Sequence, residues 1–287
     1  MRPVQFHHMI IGTALFLAGI VSCTEVIDIE LDSTYQRLVV YGTVTDDSVR
    51  HQVQLSLSSD YFSNSPAPRI SGAVVELETM DGVIPFPEHD TIPGLYLPDE
   101  AFRGVPGQNY RLHISHVDAD GDGEEESYLA ESRMQGGAQL DSIKVSYFQS
   151  PFVSGYQVFM YAQDPPERNW YLFKIWKNQH LLTDTLSKFS IQSDDLYNGS
   201  YIYGLPVGFL WDGDPNEAAQ PGDTITLELD AIDRSYFNFI VDAQLEIAGN
   251  NPLFSGPSAN VSSNIETDAQ GVFAAYSVHR VYTIIPE

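Results

Sequence analysis

The chain alternates apolar and polar residues in short runs, spaced by the roughly 8 to 12 residues of a β-sandwich. RLVVYGTV (37–44) turns at Thr45-Asp46-Asp47-Ser48 into HQVQLSLS (51–58), where Val53, Leu55 and Leu57 alternate with polar neighbours. AVVELET (73–79) ends at the turn Met80-Asp81-Gly82. GVPGQNYRLHISHV (104–117) opens with the tight turn Pro106-Gly107 and sets Tyr110, Leu112 and Ile114 on one face. Tyr110 stands where a sandwich tyrosine ties its hydroxyl to a corner backbone. SYLAESRM (127–134) follows, and residues 37–135 read as an immunoglobulin-like β-sandwich.

QGGAQL (135–140) is the expected boundary, and 139–287 reads as a second β-rich domain. Its strands are DSIKVSYF (141–148), YQVFMYAQD (156–164), NWYLFKIWKN (169–178), YIYGLPVGFLWDG (201–213) and DTITLELDAI (223–232). In 169–178, Trp170, Leu172, Lys174 and Trp176 share one face and Tyr171, Phe173 and Ile175 the other. A strand apolar on both faces belongs in the middle of a buried sheet rather than on a sugar platform. The period then changes once. Asp233 opens a helix of about 233–248, with Tyr236, Phe237, Ile240, Val241, Leu245 and Ala248 on its apolar stripe. Gly249-Asn250-Asn251-Pro252 stops it, a long loop (252–271) follows, and VFAAYSVHRVYTII (272–285) closes the chain. The fold class expected is mainly β: two sandwich or barrel-like domains, with one helix packed on the second.

The N-terminus departs from this alternation. Arg2 precedes an apolar run of about 13 residues, Met9 to Val21, too short to span a bilayer but of signal-peptide length. Ile20-Val21-Ser22-Cys23 has the form of a lipobox, and Cys23 is the only cysteine of the chain. Residues 1–22 are therefore expected to be a lipoprotein signal peptide, Cys23 the lipidated residue, and 23–36 a tether. Glu25, Asp28, Glu30 and Asp32 make that tether acidic, as a solvated linker or as a surface-export signal.

Charge narrows the partners. Acids outnumber bases 39 to 14, a formal net charge of −25 in 287 residues. That excludes a nucleic-acid partner, which needs clustered Lys and Arg, and argues against adsorption to anionic lipid. One cysteine rules out an intramolecular disulfide or a thiolate metal cage.

RLVVYGTVTD, YFSNSPAPRISGAVVEL, GLYLPDEAFRGVPGQNYRLHI, AQLDSI, PGDTITLELDAIDRSYFNFI and NNPLFSGPSANVSSNIETDAQGVFAAYS together resemble a family of Bacteroidota lipoproteins, domain of unknown function 4249. The resemblance runs from about residue 25 to 282 and is most specific in the C-terminal segment. It implies an exported, two-part β-rich protein of the outer membrane, often encoded beside a TonB-dependent receptor. It carries no known reaction and no catalytic residue onto this chain.

The chain's own residues offer little chemistry. No G-x-S-x-G elbow, Walker loop, dinucleotide glycine signature or H-E-x-x-H occurs. His113 and His116 form H-x-x-H, but three residues apart on a strand they point to opposite faces. Asp118, Asp120, Asp122 and Gly123 match the start of a calcium loop, with the Glu124 carbonyl as the next ligand. The closing position is Leu129 and the flanks are strands, so this is no EF-hand. A solvated hairpin tip accounts better for these acids than a calcium site does, as it does for the loop from Asp212 to Glu217.

The function expected is a non-enzymatic, lipid-anchored outer-membrane protein, an accessory or substrate-capturing partner of a TonB-dependent β-barrel receptor. No cofactor is expected beyond calcium at that loop, and the leaflet it faces stays open. Loops 61–71 and 252–271 are candidate contact surfaces, with packing along a sheet edge as the alternative. The rival readings are a hydrolase acting on glycans or peptides, and a calcium-stabilised adhesion or structural module.

Overall fold

The computed structural model describes residues 36–59, 65–248 and 261–287. The signal segment, Cys23, the tether, the tip of loop 61–71 and residues 252–260, with Phe254 and Pro257, lie outside the described residues. Among the described residues the chain is mainly β with one α-helix, as its alternation foretold.

In chain order the first strands are β1 (Leu38–Thr45), β2 (Gln52–Leu57), β3 (Val74–Thr79), β4 (Gly82–Pro85) and β5 (Leu95–Tyr96). β6 (Asn109–Val117), β7 (Glu126–Arg133), β8 (Gln139–Gln149), β9 (Ser154–Gln163) and β10 (Trp170–Lys177) follow. After β11 (His180–Leu181) and β12 (Ser190–Ser193) come β13 (Tyr201–Trp211), β14 (Thr224–Ile232), the helix α1 (Arg234–Ala248) and β15 (Gln270–Ile284).

An eight-stranded sheet, β11–β10–β14–β15–β1–β2–β5 with β12 also on β10, forms the middle layer. A four-stranded sheet, β4–β3–β6–β7, and a three-stranded sheet, β13–β9–β8, pack against it at different places. The first core holds Leu38, Val40 and Leu55 of the large sheet against Leu77, Leu112 and Ile114. The second holds Tyr171, Phe173, Leu227 and Leu229 against Val158, Met160 and Ile202. Tyr110 makes the expected corner, accepting a hydrogen bond from Val105 N at 2.7 Å.

The strand pairing crosses the expected boundary at 135–139. β15 is 15 residues long, about 50 Å at strand rise. Its first half runs parallel to β1, from Val39↔Gln270 to Thr45↔Tyr276. Its second half runs antiparallel to β14, from Ala231↔Ser277 to Thr224↔Ile284. On one face it gives Phe273 and Ala275 to the first core and Val281 to the edge of the second. Two cores thus share one strand, and residues 36–287 form one compact unit. Gly271, at φ +100°, permits the entry: a Cβ there would sit 1.9 Å from Val40 O.

The other face of β15 carries Val272, Ala274 and Tyr276, which α1 covers with Tyr236, Ile240 and Ala243. Asp233 caps the helix, accepting from Tyr236 N at 2.8 Å. Ser132 of β7 donates to the same carboxylate and accepts from Ala275 N, so β7, β15 and the start of α1 meet there. Leu245, expected on the buried stripe, is exposed. Gln244 instead turns the last turn inward, donating to the Leu186 and Phe189 carbonyls.

Candidate functional site

The three-stranded sheet has one face on the second core and one open to solvent. Register sorts its residues, because directly opposed residues in an antiparallel ladder share a face. Met160 pairs with Ile143 and Leu205 inward. Outward, Tyr161 pairs with Ser142 and Tyr203, Phe159 with Lys144 and Pro206, and Gln157 with Ser146 and Phe209. Beyond them stand Phe148 and Trp211 on either side of Gly155 at one end, and Gln139, Gln163 and Tyr201 at the other. Antiparallel sheets normally turn polar residues to water. This face turns seven aromatic residues, across roughly 27 Å by 10 Å at sheet spacing.

Three of the seven rings are exposed and the other four half-buried. Tyr203 is 83%, Phe148 50% and Trp211 47% exposed. Tyr201 and Tyr203 lie 4.6 Å apart between centroids, and Phe148 meets Phe209 edge-on at 6.5 Å. Gly204, at φ +77°, forms a bulge in β13 beside the Tyr161 hydroxyl. Of the paired outward positions only Lys144 is charged, and Asp141 at the margin accepts from Tyr201 Oη at 2.7 Å. Sequence analysis missed this surface. The signal was present in YIYGLPVGFLW, where Tyr201, Tyr203, Phe209 and Trp211 all hold odd positions.

The acidic loop joins β6 to β7 as a hairpin tip. Carboxylate oxygens of Asp118, Asp120 and Asp122 lie within 4.8 Å of one another, and all three residues are exposed. Glu124 is outside that group. The loop's own amides occupy these acids: Gly121 N and Gly123 N donate to Asp118, Asp122 N to Asp120, and Glu124 N to Asp122. Gly121 and Gly123 both have positive φ. The 212–217 loop is built alike, with Asn216 N on Asp214 and the Tyr147 hydroxyl on Asp212. His113 is joined to Glu78 at 2.9 Å, while His116 sits in a bulge at φ +60°. Of the candidate contact loops, 68–70 runs along the edge of β2, with Leu57 N donating to Pro68 O and Ile70 N to Leu55 O. In the other, Ile265 and Ala269 are buried in the first core.

The profile of a family described as Domain of unknown function (DUF4249) matches residues 24–281. The chain belongs to this family. No curated protein matches it. The DUF4249 match opens at the residue after Cys23 and closes within β15, so one family unit includes both cores and the strand they share.

This DUF4249 unit also contains a charge network under the large sheet's helix-bearing face. Lys174 Nζ lies 2.6 Å from Asp230 Oδ2, 2.9 Å from Glu228 Oε1 and 5.3 Å from the Tyr276 ring centre. Arg280 Nε reaches Glu228 at 2.6 Å, and its outer nitrogens grip Asp47 in the β1–β2 turn. Burial pushes Glu228 up, but Lys174 and Arg280 hold it below the usual carboxylate range. Asp230 is fully buried, its Oδ1 has no hydrogen-bond partner, and burial raises it to about 7 against the pull of Lys174. Between about pH 4 and 7 the folded protein therefore holds a proton that the unfolded chain has lost, and stability falls as pH rises, by at most about 1.4 kcal/mol per unit. Asp230→Asn removes that slope. Its stability relative to the parent is expected to improve from about pH 5.5 to 7 and to level off above about pH 8 in urea titrations. Parallel pH profiles for the two proteins would contradict the assignment.

Proposed function

We propose that this protein is an exported, lipid-anchored component of the outer membrane that works by contact, as an accessory or substrate-capturing partner of a TonB-dependent receptor, and that the outer face of the three-stranded sheet is its contact surface for that receptor. The observation that carries the reading is the aromatic face itself. Tyr, Trp and Phe are enriched, and charges depleted, at the cores of protein interfaces. In a chain of net charge −25, a face with seven aromatics and only Lys144 charged among its paired positions has that composition. The family match beginning at residue 24, directly after the sole cysteine, supports the anchor.

Contact is favoured over catalysis by the clefts among the described residues. The cavity of about 290 Å³ beside the β3–β4 turn holds one acid, Asp81, and that of about 270 Å³ beside β13 holds one, Glu217. A third is lined by Glu88, Asp90 and Asp99, and both Glu88 oxygens are taken up by the Gly72 and Gly94 amides. Neither of the first two presents the pair of carboxylates that glycoside hydrolysis uses.

The test is a mild-detergent pull-down through the full chain. The parent is expected to recover a large β-barrel protein, and the double variant Tyr203→Ala/Trp211→Ala to lose at least tenfold of it with an unchanged melting temperature. Recovery of the lipoprotein alone by the parent would overturn the partnership. Undiminished recovery by the double variant would remove this face from it.

A further inference from the structure

The rim of the second core holds a second group of buried acids, unlike the Lys174 network in having no base. β10 pairs with β12 so that Trp170 opposes Ser193. One step further Asn169 opposes Asp194: Asn169 N donates to Asp194 Oδ2 at 2.7 Å, and Asp194 N to Asn169 O at 3.2 Å. Opposed residues share a face, and odd positions of β10 face the second core, so both side chains lie on the side of Tyr171. The Tyr171 hydroxyl donates to Asp164 Oδ1 at 2.8 Å, and Gly199 N to Asp164 Oδ2 at 3.0 Å.

Three oxygens in this group have no partner: Asn169 Oδ1, Asp194 Oδ1 and the Tyr197 hydroxyl. Asn169 is 3% and Asp194 0% exposed. The amide cannot be reversed to satisfy itself, since Asn169 Nδ2 already donates to Gly136 O at 3.2 Å. Arg168, the adjacent base, turns outward to the exposed Asp195. Among the described residues neither Asp164 nor Asp194 has a basic side chain within ion-pair distance. Burial drives both carboxyls above their ordinary range, and the neighbouring Asp164 charge pushes Asp194 further up.

We propose that Asp194, Asn169 and Tyr197, with Asp164 behind them, form a buried site for one calcium ion. A trapped water would satisfy the three orphaned oxygens but supply no counter-charge to the two buried carboxyls, which burial holds above their ordinary range with no base beside them. A divalent cation answers both needs. Carboxylate, amide and phenol oxygens without nitrogen or sulfur suit a hard ion that tolerates irregular coordination. The ion would clasp the 164–169 and 194–199 turns to the end of β10. Ser200 O, which accepts from Asp164 N at 3.1 Å, leads directly into β13 and the aromatic face.

Melting of the full chain in detergent, stripped with chelator and then supplied with calcium, tests the site. Calcium at about 100 times its dissociation constant is expected to raise the melting temperature by roughly 5–10 °C. Asp194→Asn is expected to abolish the rise, and the exposed-loop variant Asp118→Asn/Asp120→Asn to keep it. Terbium in place of calcium is expected to show tyrosine-sensitised emission that Tyr197→Phe at least halves. That measurement decides the matter if Asp194→Asn fails to fold. Identical melting with calcium and with chelator would mean a buried water only. A rise lost in the loop variant but kept in Asp194→Asn would place the ion at the hairpin tip and overturn the proposal.

Discussion

Replacing Lys174 by methionine is expected to lower the melting temperature by roughly 10 °C at about pH 7.5. The side chain is largely buried on β10, and its ammonium is the direct counter-charge of Asp230, which has no exposed surface. Removing one partner of a buried ion pair costs about 3–5 kcal/mol, because the remaining charge is stranded without water. For a unit of this size each kcal/mol shifts the midpoint by about 2–4 °C. Glu228 keeps Arg280, so the loss concentrates on Asp230. That carboxyl escapes part of the penalty by holding its proton, and the variant is therefore expected to lose less at about pH 5.5 than at pH 8. The double variant Lys174→Met/Asp230→Leu restores most of the loss, since an apolar pair of similar volume strands no charge. A single variant melting with the parent at about pH 7.5 would show that the pair contributes nothing.

What was legible in the chain, and what was not, follows from the range of each interaction. Alternation is local, so β1, β2, β6, β7 and β10 stand within a few residues of their expected limits. The two-faced apolar pattern of β10 reports its central place between β12 and β14. Asp233 marked the start of α1 because a cap acts across three residues. The β1–β15 pairing joins residues more than 200 positions apart through Val and Ala runs that would fit many partners. Nothing in either strand names the other. The aromatic face was hidden for a related reason. Tyr161 and Tyr203, or Phe148 and Trp211, become neighbours only when three strands find register, and bulges in β13 shift the parity midway. The Asp194 group is likewise assembled from two separate turns. The aspartates at 118, 120 and 122, legible because they are consecutive in pattern, are held by their own loop amides.

The second large effect concerns where the protein resides, which on the proposed reading turns on a single thiol. Among the described residues no helix is long and apolar enough to cross a membrane. The described unit begins at Gln36 and enters the sheet at Leu38, so Cys23 stands 15 residues before the first strand. A chain of that length reaches at most about 50 Å. Stable attachment by lipid needs more than one acyl chain, at about 0.8 kcal/mol for each buried methylene. If Cys23 carries the proposed lipid, Cys23→Ala removes the attachment atom for all of the chains at once. In cell fractionation the parent is expected in the membrane pellet and released only by detergent, and the variant to fall at least tenfold in that pellet. Receptor recovery is expected to fall with it although the contact face is intact, because tethering raises the local concentration of one partner at the other. A Cys23→Ala protein retained in the pellet as fully as the parent would show that something other than acylation holds it there, and the receptor reading would lose its membrane half.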